Sequence, residues 1–306
     1  MEGLILKSTG SWYTVKSDND SIYNCKIKGK LRTFDIKSTN PVAVGDRVEF
    51  DVQQADTGVI TDILERKNYI IRKASNLSKQ SHIIAANIDE AFLLVTLAFP
   101  ETSLEFIDRF LAAAEAYRVP VTILINKIDL YKDTLRDLIK EMHAIYEPIG
   151  YPVLEISVLE GTNMEMLRAK FQGKVNLLSG NSGVGKSSLI NYLYPQLQLR
   201  TNDISNYHFK GKHTTTFAEM VELPEGGYII DTPGIKGFGM VYMEKNEIYH
   251  FFPEIFKYAT NCQYNNCLHL DEPKCAVKEA VKNNQISESR YISYTHIMSD
   301  DNEKYR

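Results

Sequence analysis

Apolar positions in the first quarter of the chain come in short runs broken by turn residues. Strand-like runs lie at 3–7, 11–16, 22–28, 47–52 and 58–64, and Gly10, the Asp18-Asn19-Asp20 cluster, Gly29 and Val44-Gly45-Asp46 punctuate them. Several short strands at this spacing predict a small β-barrel over residues 1–74; five strands fit an OB-fold, with an SH3-like barrel as the rival. The polar, aperiodic stretch 75–80 (SNLSKQ) reads as a linker. Beyond it the pattern changes to β/α alternation. The unbroken apolar runs at 91–97 and 119–125 suit central parallel strands. Between them, 103–117 has helical periodicity, with Ser103 as N-cap and Leu104, Ile107, Phe110, Leu111 and Ala114 on one stripe. A helix over 133–146, strands at 152–157, 174–179 and 227–230, and a helix through 189–193 complete an α/β domain over 75–240. Residues 241–306 read as helical, with helices at 244–252, 276–282 and 288–298.

Composition narrows the class. At 306 residues the chain has room for two or three domains, and its 43% apolar and 24% charged content is that of a globular protein. No run approaches the ~18 apolar residues that span a bilayer, and the first residues lack a signal core, so a cytoplasmic protein is expected. A net charge of −4 makes any basic surface local. One candidate is the alternation of Lys26, Lys28, Lys30 and Arg32 with Ile27 and Leu31, which reads either as an RNA-binding face or as a solvated strand face. Trp12, Tyr13 and Tyr23 are either stacking residues for exposed bases or barrel core, and at least two of them are expected in the core. Cys25 stands apart from the other cysteines and reads as a buried small hydrophobe.

The chemistry is concentrated in a set of nucleotide motifs. Gly180-Asn181-Ser182-Gly183-Val184-Gly185-Lys186-Ser187-Ser188, set between a strand and a helix, is a phosphate-binding loop. Its glycines let backbone N–H groups surround phosphates at a helix N-terminus. Lys186 is placed to reach the β- and γ-phosphates, and Ser187 to ligate Mg²⁺. Asn126-Lys127-Ile128-Asp129 ends a buried strand. There Asp129 can accept from both N1–H and the exocyclic amine of guanine, a donor pair that adenine lacks. Lys127 can lie over the base, and Asn126 can tie the two loops together. Ser157, opening Ser157-Val158-Leu159-Glu160-Gly161, stands where GTPases contact guanine O6. Gly211-Lys212-His213-Thr214-Thr215-Thr216 and Asp231-Thr232-Pro233-Gly234 follow as switches. Asp231 is expected at Mg²⁺ and the Gly234 N–H at the γ-phosphate. Thr215 is the choice for the switch threonine on Mg²⁺, with Thr214 open by spacing. Ile235 occupies the place of a water-orienting glutamine, leaving His213 either as its replacement or as an exposed loop histidine.

Chain order is informative. The guanine motif precedes the phosphate loop, so the set is complete but circularly permuted. A nucleotide site survives permutation because it needs strand ends to meet at one edge, whatever their order. Farther on, Cys262-x4-Cys267-x-His269-x5-Cys275 supplies three thiolates and an imidazole, the ligand set of a closed structural Zn²⁺ site. Lys274, Lys278, Lys282 and Arg290 nearby read as a basic or simply solvated helix face.

This combination of barrel, permuted motifs and Cys/His cluster resembles the circularly permuted ribosome-small-subunit-dependent GTPases over essentially the whole chain. The resemblance implies low intrinsic GTP hydrolysis stimulated by the small ribosomal subunit, a role in late maturation of that subunit, and rRNA binding. It also implies one structural Zn²⁺ and a part for His213 in hydrolysis; the motifs add Mg²⁺ with GTP and catalytic roles for Lys186 and Thr215, and a monomer with no membrane attachment is expected. A hydrophobic residue after D-x-x-G is expected in that family, and Ile235 fits. Val158, where the family usually has alanine, departs from it, but the contact expected there is made by a backbone N–H. The alternative reading is a GTP-gated RNA-binding factor acting on the large subunit or another RNA.

Overall fold

A computed structural model describes residues 1–29, 41–73, 81–131, 133–197, 219–231 and 243–299. Strands β1 (Glu2–Ser8), β2 (Tyr13–Ser17), β3 (Ile22–Ile27), β4 (Arg47–Gln54) and β5 (Thr57–Ile63) form the N-terminal barrel. β1 pairs with both β2 and β4, β2 with β3, β3 with β5 in parallel, and β5 with β4, which closes the ring in OB-fold order. Alternate residues fill the interior: Ile5, Tyr13, Val15, Cys25, Val48, Phe50 and Ile60 are buried. Tyr13 is therefore core, and Tyr23 packs on Phe50 with ring centroids 5.2 Å apart. Trp12 stays 42% exposed, with the Lys26 ammonium 4.4 Å above its ring. The expected continuation of the basic strand through Lys30 and Arg32 lies outside the described residues.

A hairpin that the hydrophobic pattern did not announce follows the barrel. β6 (Tyr69–Lys73) pairs antiparallel with β7 (Ser81–Ala86), and Ala85 bridges back to Val44. The stretch read as a linker lies outside the described residues.

The α/β domain has five parallel strands in the order β10 (Val153–Glu155), β9 (Val121–Ile125), β8 (Glu90–Val95), β11 (Val175–Ser179) and β13 (Tyr228–Asp231). β12 (Glu219–Glu222) is antiparallel to β13. Because β8 is central, both of its faces are covered. Ala91, Leu93 and Val95 share a core with α1 (Leu104–Ala116) and α2 (Asp133–Tyr146), while Phe92 and Leu94 share another with α3 (Met164–Phe171) and α4 (Lys186–Leu193). Ser103 caps α1 as expected, accepting from the Phe106 N–H. Beyond β12 the sheet continues into the barrel: β1 pairs with β12, so eleven strands form one sheet.

In the C-terminal region a 3-10 helix, Lys245–Phe251, stands where an α-helix was expected and runs into α5 (Pro253–Ala259). α6 (Ala276–Lys282) and α7 (Glu288–Ser299) follow. Their core includes Ala112 of α1, so α1 serves the sheet with one face and the C-terminal helices with another. Arg290 corrects the expected basic face. It is 1% exposed and ion-paired with Asp108 of α1 and Glu254 of α5. A cation buried that deeply keeps its charge only beside carboxylates. Among the described residues, no helix is long and apolar enough to cross a membrane.

Candidate functional site

The phosphate loop joins β11 to α4 through backbone shapes that only glycine takes easily. Gly180 has φ +142°, and a Cβ there would fall 2.2 Å from the Leu94 carbonyl oxygen. Gly185, with φ +103°, is the N-cap of α4, and its Cβ would meet Asn126 Nδ2 at 2.6 Å. Both positions therefore need glycine for space as well as for conformation. Asn181, Ser182 and Gly183 form the turn between them. Val184 is fully buried and anchors the loop in the core beneath α4. Lys186 Nζ donates to the carbonyls of Gly180 and Asn181, both at 2.7 Å, so its ammonium lies under the loop. Ser187 is buried in the first turn of α4, and Ser188 points to solvent.

The guanine-type loop meets this turn from the neighbouring side. β9 delivers Asn126, which is 2% exposed and whose side chain bridges two loops. Its Nδ2 donates to the Val184 carbonyl at 2.9 Å, and its Oδ1 accepts from the Val158 N–H at 3.4 Å. Lys127, at φ +64°, sends Nζ to the carbonyls of Gly183 (2.9 Å) and Phe99 (2.5 Å). Asp129 is oriented by Ser157, whose hydroxyl donates to Oδ1 at 2.5 Å while accepting from the Glu160 N–H at 3.1 Å. Ser157 is fully buried, so this hydroxyl is fixed from both sides. Asn126, Lys127, Asp129, Ser157 and the phosphate loop thus converge on one edge of the sheet. Asp231 ends β13, one residue beyond the Leu177–Ile230 pair on the strand that feeds the phosphate loop. His213, Thr214, Thr215, Gly234 and Ile235 lie outside the described residues.

Motif spacing missed two contributors. Tyr131 donates to the Asn126 carbonyl at 2.8 Å and accepts from the Leu97 N–H at 2.9 Å, tying the loop after β8 to the guanine loop. That loop, 96–103, itself touches Lys127. No motif marks either.

A second cluster lies in the C-terminal region. The ligand atoms of Cys262, Cys267, His269 and Cys275 all fall within 4.8 Å of one another, a group that can hold a metal ion. His269 Nδ1 is 3.5 Å from the sulfurs of both Cys262 and Cys275, and those sulfurs are 3.9 Å apart. A tetrahedral ion with thiolates at ~2.3 Å and imidazole at ~2.0 Å requires S···S near ~3.8 Å and S···N near ~3.5 Å. Cys262, His269 and Cys275 match those separations, and Cys267 completes the group within 4.8 Å. Burial pushes the Cys267 thiol up to about 12 and raises Cys275, and it lowers His269, so the imidazole is neutral and ready to ligate. Around the cluster, Glu272 accepts from the N–H groups of Leu268 and Leu270, at 2.7 and 2.9 Å, and holds His269 at φ +62°. Tyr291 and Tyr294 donate to the carbonyls of His269 and Leu268, both at 2.7 Å. Such supporting contacts fix ligand orientation. Ligand spacing alone did not reveal them.

Comparison with known proteins agrees with this arrangement. The RsgA N-terminal domain family matches residues 2–60 and the RsgA GTPase family residues 63–241. A Bacteroides fragilis protein named small ribosomal subunit biogenesis GTPase RsgA is 57% identical across 100% of this chain and 99% of its own. A Flavobacterium psychrophilum protein of the same name is 53% identical across 100% and 95%. Among solved structures, YjeQ from Thermotoga maritima superposes with a TM-score of 0.78 at 35% identity, covering 97% of this chain and 96% of that one. YloQ, described as a circularly permuted GTPase, gives 0.74 at 31%, covering 97% and 93%. With both parts matched in chain order and whole-length identity above one half, the chain belongs to the RsgA GTPase family.

Proposed function

We propose that this protein hydrolyses GTP as a step in maturation of the small ribosomal subunit, and that the subunit stimulates the hydrolysis. The observation that carries the GTPase reading is the Asn126 side chain, which joins the Val184 carbonyl of the phosphate loop to the Val158 N–H of the guanine loop. Two motifs in reversed chain order make one site through it. In this reading Asp129, held by Ser157, selects guanine, and the Lys127 stem covers the base. The N–H groups of residues 182–187 surround the phosphates, and Lys186 turns from the loop carbonyls to the β/γ-phosphates. Ser187, Asp231 and Thr215 (or Thr214) would hold Mg²⁺, which would supply positive charge to neutralise that developing on the phosphates. The Gly234 N–H meets the γ-phosphate. With Ile235 unable to orient water, His213 takes that role, and slow turnover without a partner follows.

The Cys262/Cys267/His269/Cys275 cluster is read as one structural Zn²⁺, since all four donors are protein atoms. The barrel, with exposed Trp12 beside Lys26, is read as the rRNA-binding part of a cytoplasmic monomer.

The test is steady-state GTP hydrolysis with and without isolated small ribosomal subunits. A large rise in kcat with small subunits, and none with large subunits, is expected. Equal stimulation by large subunits or unrelated RNA would favour a general RNA-gated factor. No GTP turnover under any condition would overturn the enzymatic reading.

A further inference from the structure

The loop between β8 and α1 carries no nucleotide motif, yet it walls the site that the motifs build. It is braced internally: the Thr102 N–H donates to the Thr96 carbonyl at 2.8 Å, the Thr96 N–H donates to Thr102 Oγ1 at 3.2 Å, and Thr96 Oγ1 donates to the Pro100 carbonyl at 2.5 Å. Tyr131 fastens its first turn to the strand end that bears Asn126. At its tip the Phe99 carbonyl accepts from Lys127 Nζ, the same ammonium that donates to the Gly183 carbonyl. Pro100 closes on the phosphate loop, lying 3.4 Å from where a Gly183 Cβ would stand.

Phe99 is an anomaly in this rigid setting. Its φ is +54°, a region that bulky L-residues rarely occupy, and the residue is 76% exposed. Among the described residues, no core cluster includes Phe99 to recover the cost of either feature. What the backbone does achieve is to present the carbonyl to Lys127, the lysine expected over the base, and this sets Phe99 between that lysine and Pro100 at the turn expected around the phosphates. Between base and phosphates of a nucleotide lies the ribose. Unfavourable backbone and exposed apolar surface retained together at such a place point to a ligand contact.

We infer that Phe99 is a nucleotide-binding residue whose ring covers the ribose side of a bound guanine nucleotide. The inference rests on the GTPase reading and adds a contact outside its motifs. Its consequence is specific. The ring contributes apolar cover to the sugar and none to base selection, so its removal weakens every nucleotide alike.

The experiment is calorimetric titration of the full-length protein with GDP, comparing wild type with Phe99→Ala and Phe99→Leu. Partial burial of one aromatic ring corresponds to a ~5- to 30-fold loss of affinity in Phe99→Ala. Phe99→Leu should recover most of it, the preference for GDP over ADP should not change, and the melting temperature should stay close to wild type because the ring is exposed. A Phe99→Trp variant in a Trp12→Phe background has one tryptophan, since the chain has 1, and its emission should change on adding GDP. GDP affinity of Phe99→Ala within twofold of wild type, or silent Trp emission, overturns the inference. Unchanged affinity with lost stimulation by small subunits would instead make Phe99 a ribosome contact, leaving the GTPase reading intact. Failure of the wild type itself to bind GDP would remove both.

Discussion

The guanidinium of Arg290 in α7 lies 2.9 Å from Asp108 in α1, and both side chains are essentially out of solvent. Glu254 takes the other edge, with Nε to Oε1 at 2.7 Å and Nη2 to Oε2 at 3.2 Å. Tyr146 donates to the same Asp108 oxygen at 2.9 Å, and the guanidinium sits 4.6 Å from the centre of the Phe252 ring. Burial alone would disfavour the cation, but Glu254 and Asp108 more than offset it and raise the Arg290 pKa. This cluster fixes the C-terminal helices on the helix that leaves the nucleotide edge.

Arg290→Met should therefore be far more damaging than a surface substitution. It leaves two carboxylates buried without their cation, at a cost of about 3–5 kcal/mol. Denaturant unfolding followed by tyrosine fluorescence and limited proteolysis should both show early release of the C-terminal helices. Arg290→Lys should fall between, because an ammonium cannot satisfy both edges at once. Wild-type stability in Arg290→Met would show that the cluster contributes little.

Arg290 also shows where sequence reading stops. A basic residue on a short helix resembles a solvated one until its partners are known, and one of them is 182 positions away. The hairpin of β6 and β7 and the pairing of β1 with β12 are hidden for the same reason, since strand partners are not a local property. The nucleotide loops and the Cys/His cluster were legible because their chemistry constrains both residue type and spacing. Gly180 and Gly185 are examples, each filling a place where a Cβ would collide with Leu94 or Asn126. Barrel strands were legible through their turns. Glu272 and the Phe99 carbonyl were not, since each works through backbone groups that any sequence has.

The barrel's grip on the GTPase sheet gives a second prediction. Lys16 of β2 lies 2.6 and 2.8 Å from the two Glu222 oxygens on β12 and 3.0 Å from Asp20. Lys7 and Glu219 add a more exposed pair at 2.9 Å across the β1–β12 junction. Lys16→Glu would put three carboxylates together at this seam. The loss should be ~1 kcal/mol, since Glu222 is half exposed and water screens it. Glu222→Lys in the Lys16→Glu background should recover a measurable part, read as coupling energy in a double-mutant cycle of chemical unfolding. Strict additivity of the two changes would mean that the seam is held by backbone pairing alone.

Metal content gives a third. The purified protein should contain one zinc per chain, and Cys275→Ser should lose it together with protease resistance around 262–275. Because burial raises the Cys267 and Cys275 thiols, both are protonated near pH 7 without metal. Ion binding must then expel protons, so affinity rises with pH and falls on acidification, by at least ~10-fold per pH unit between pH 8 and 6. Competition with a chromophoric chelator across that range measures the slope. A pH-independent affinity would rule out thiolate ligation by these two cysteines.

Base selection is tested most directly at Asp129. Ser157 holds its Oδ1 by a 2.5 Å hydrogen bond, so the carboxylate is oriented before any base arrives. Two acceptors facing the N1–H and amino group of guanine give discrimination because a mismatched base leaves buried polar groups unpaired. Asp129→Asn replaces one acceptor by a donor. That donor opposes the guanine amino group and suits the carbonyl that xanthine has in its place. GDP affinity should fall by at least ~100-fold and XDP affinity should rise, reversing the preference. Ser157→Ala should keep the preference for GDP but weaken binding by ~5- to 10-fold, since the bonds to Asp129 and from the Glu160 N–H are lost while both guanine acceptors remain. Binding of GDP and XDP to the two variants separates the cases. If Asp129→Asn left the GDP-to-XDP ratio unchanged, the base would be read elsewhere on the loop, and Ser157 would be holding Asp129 for structure alone.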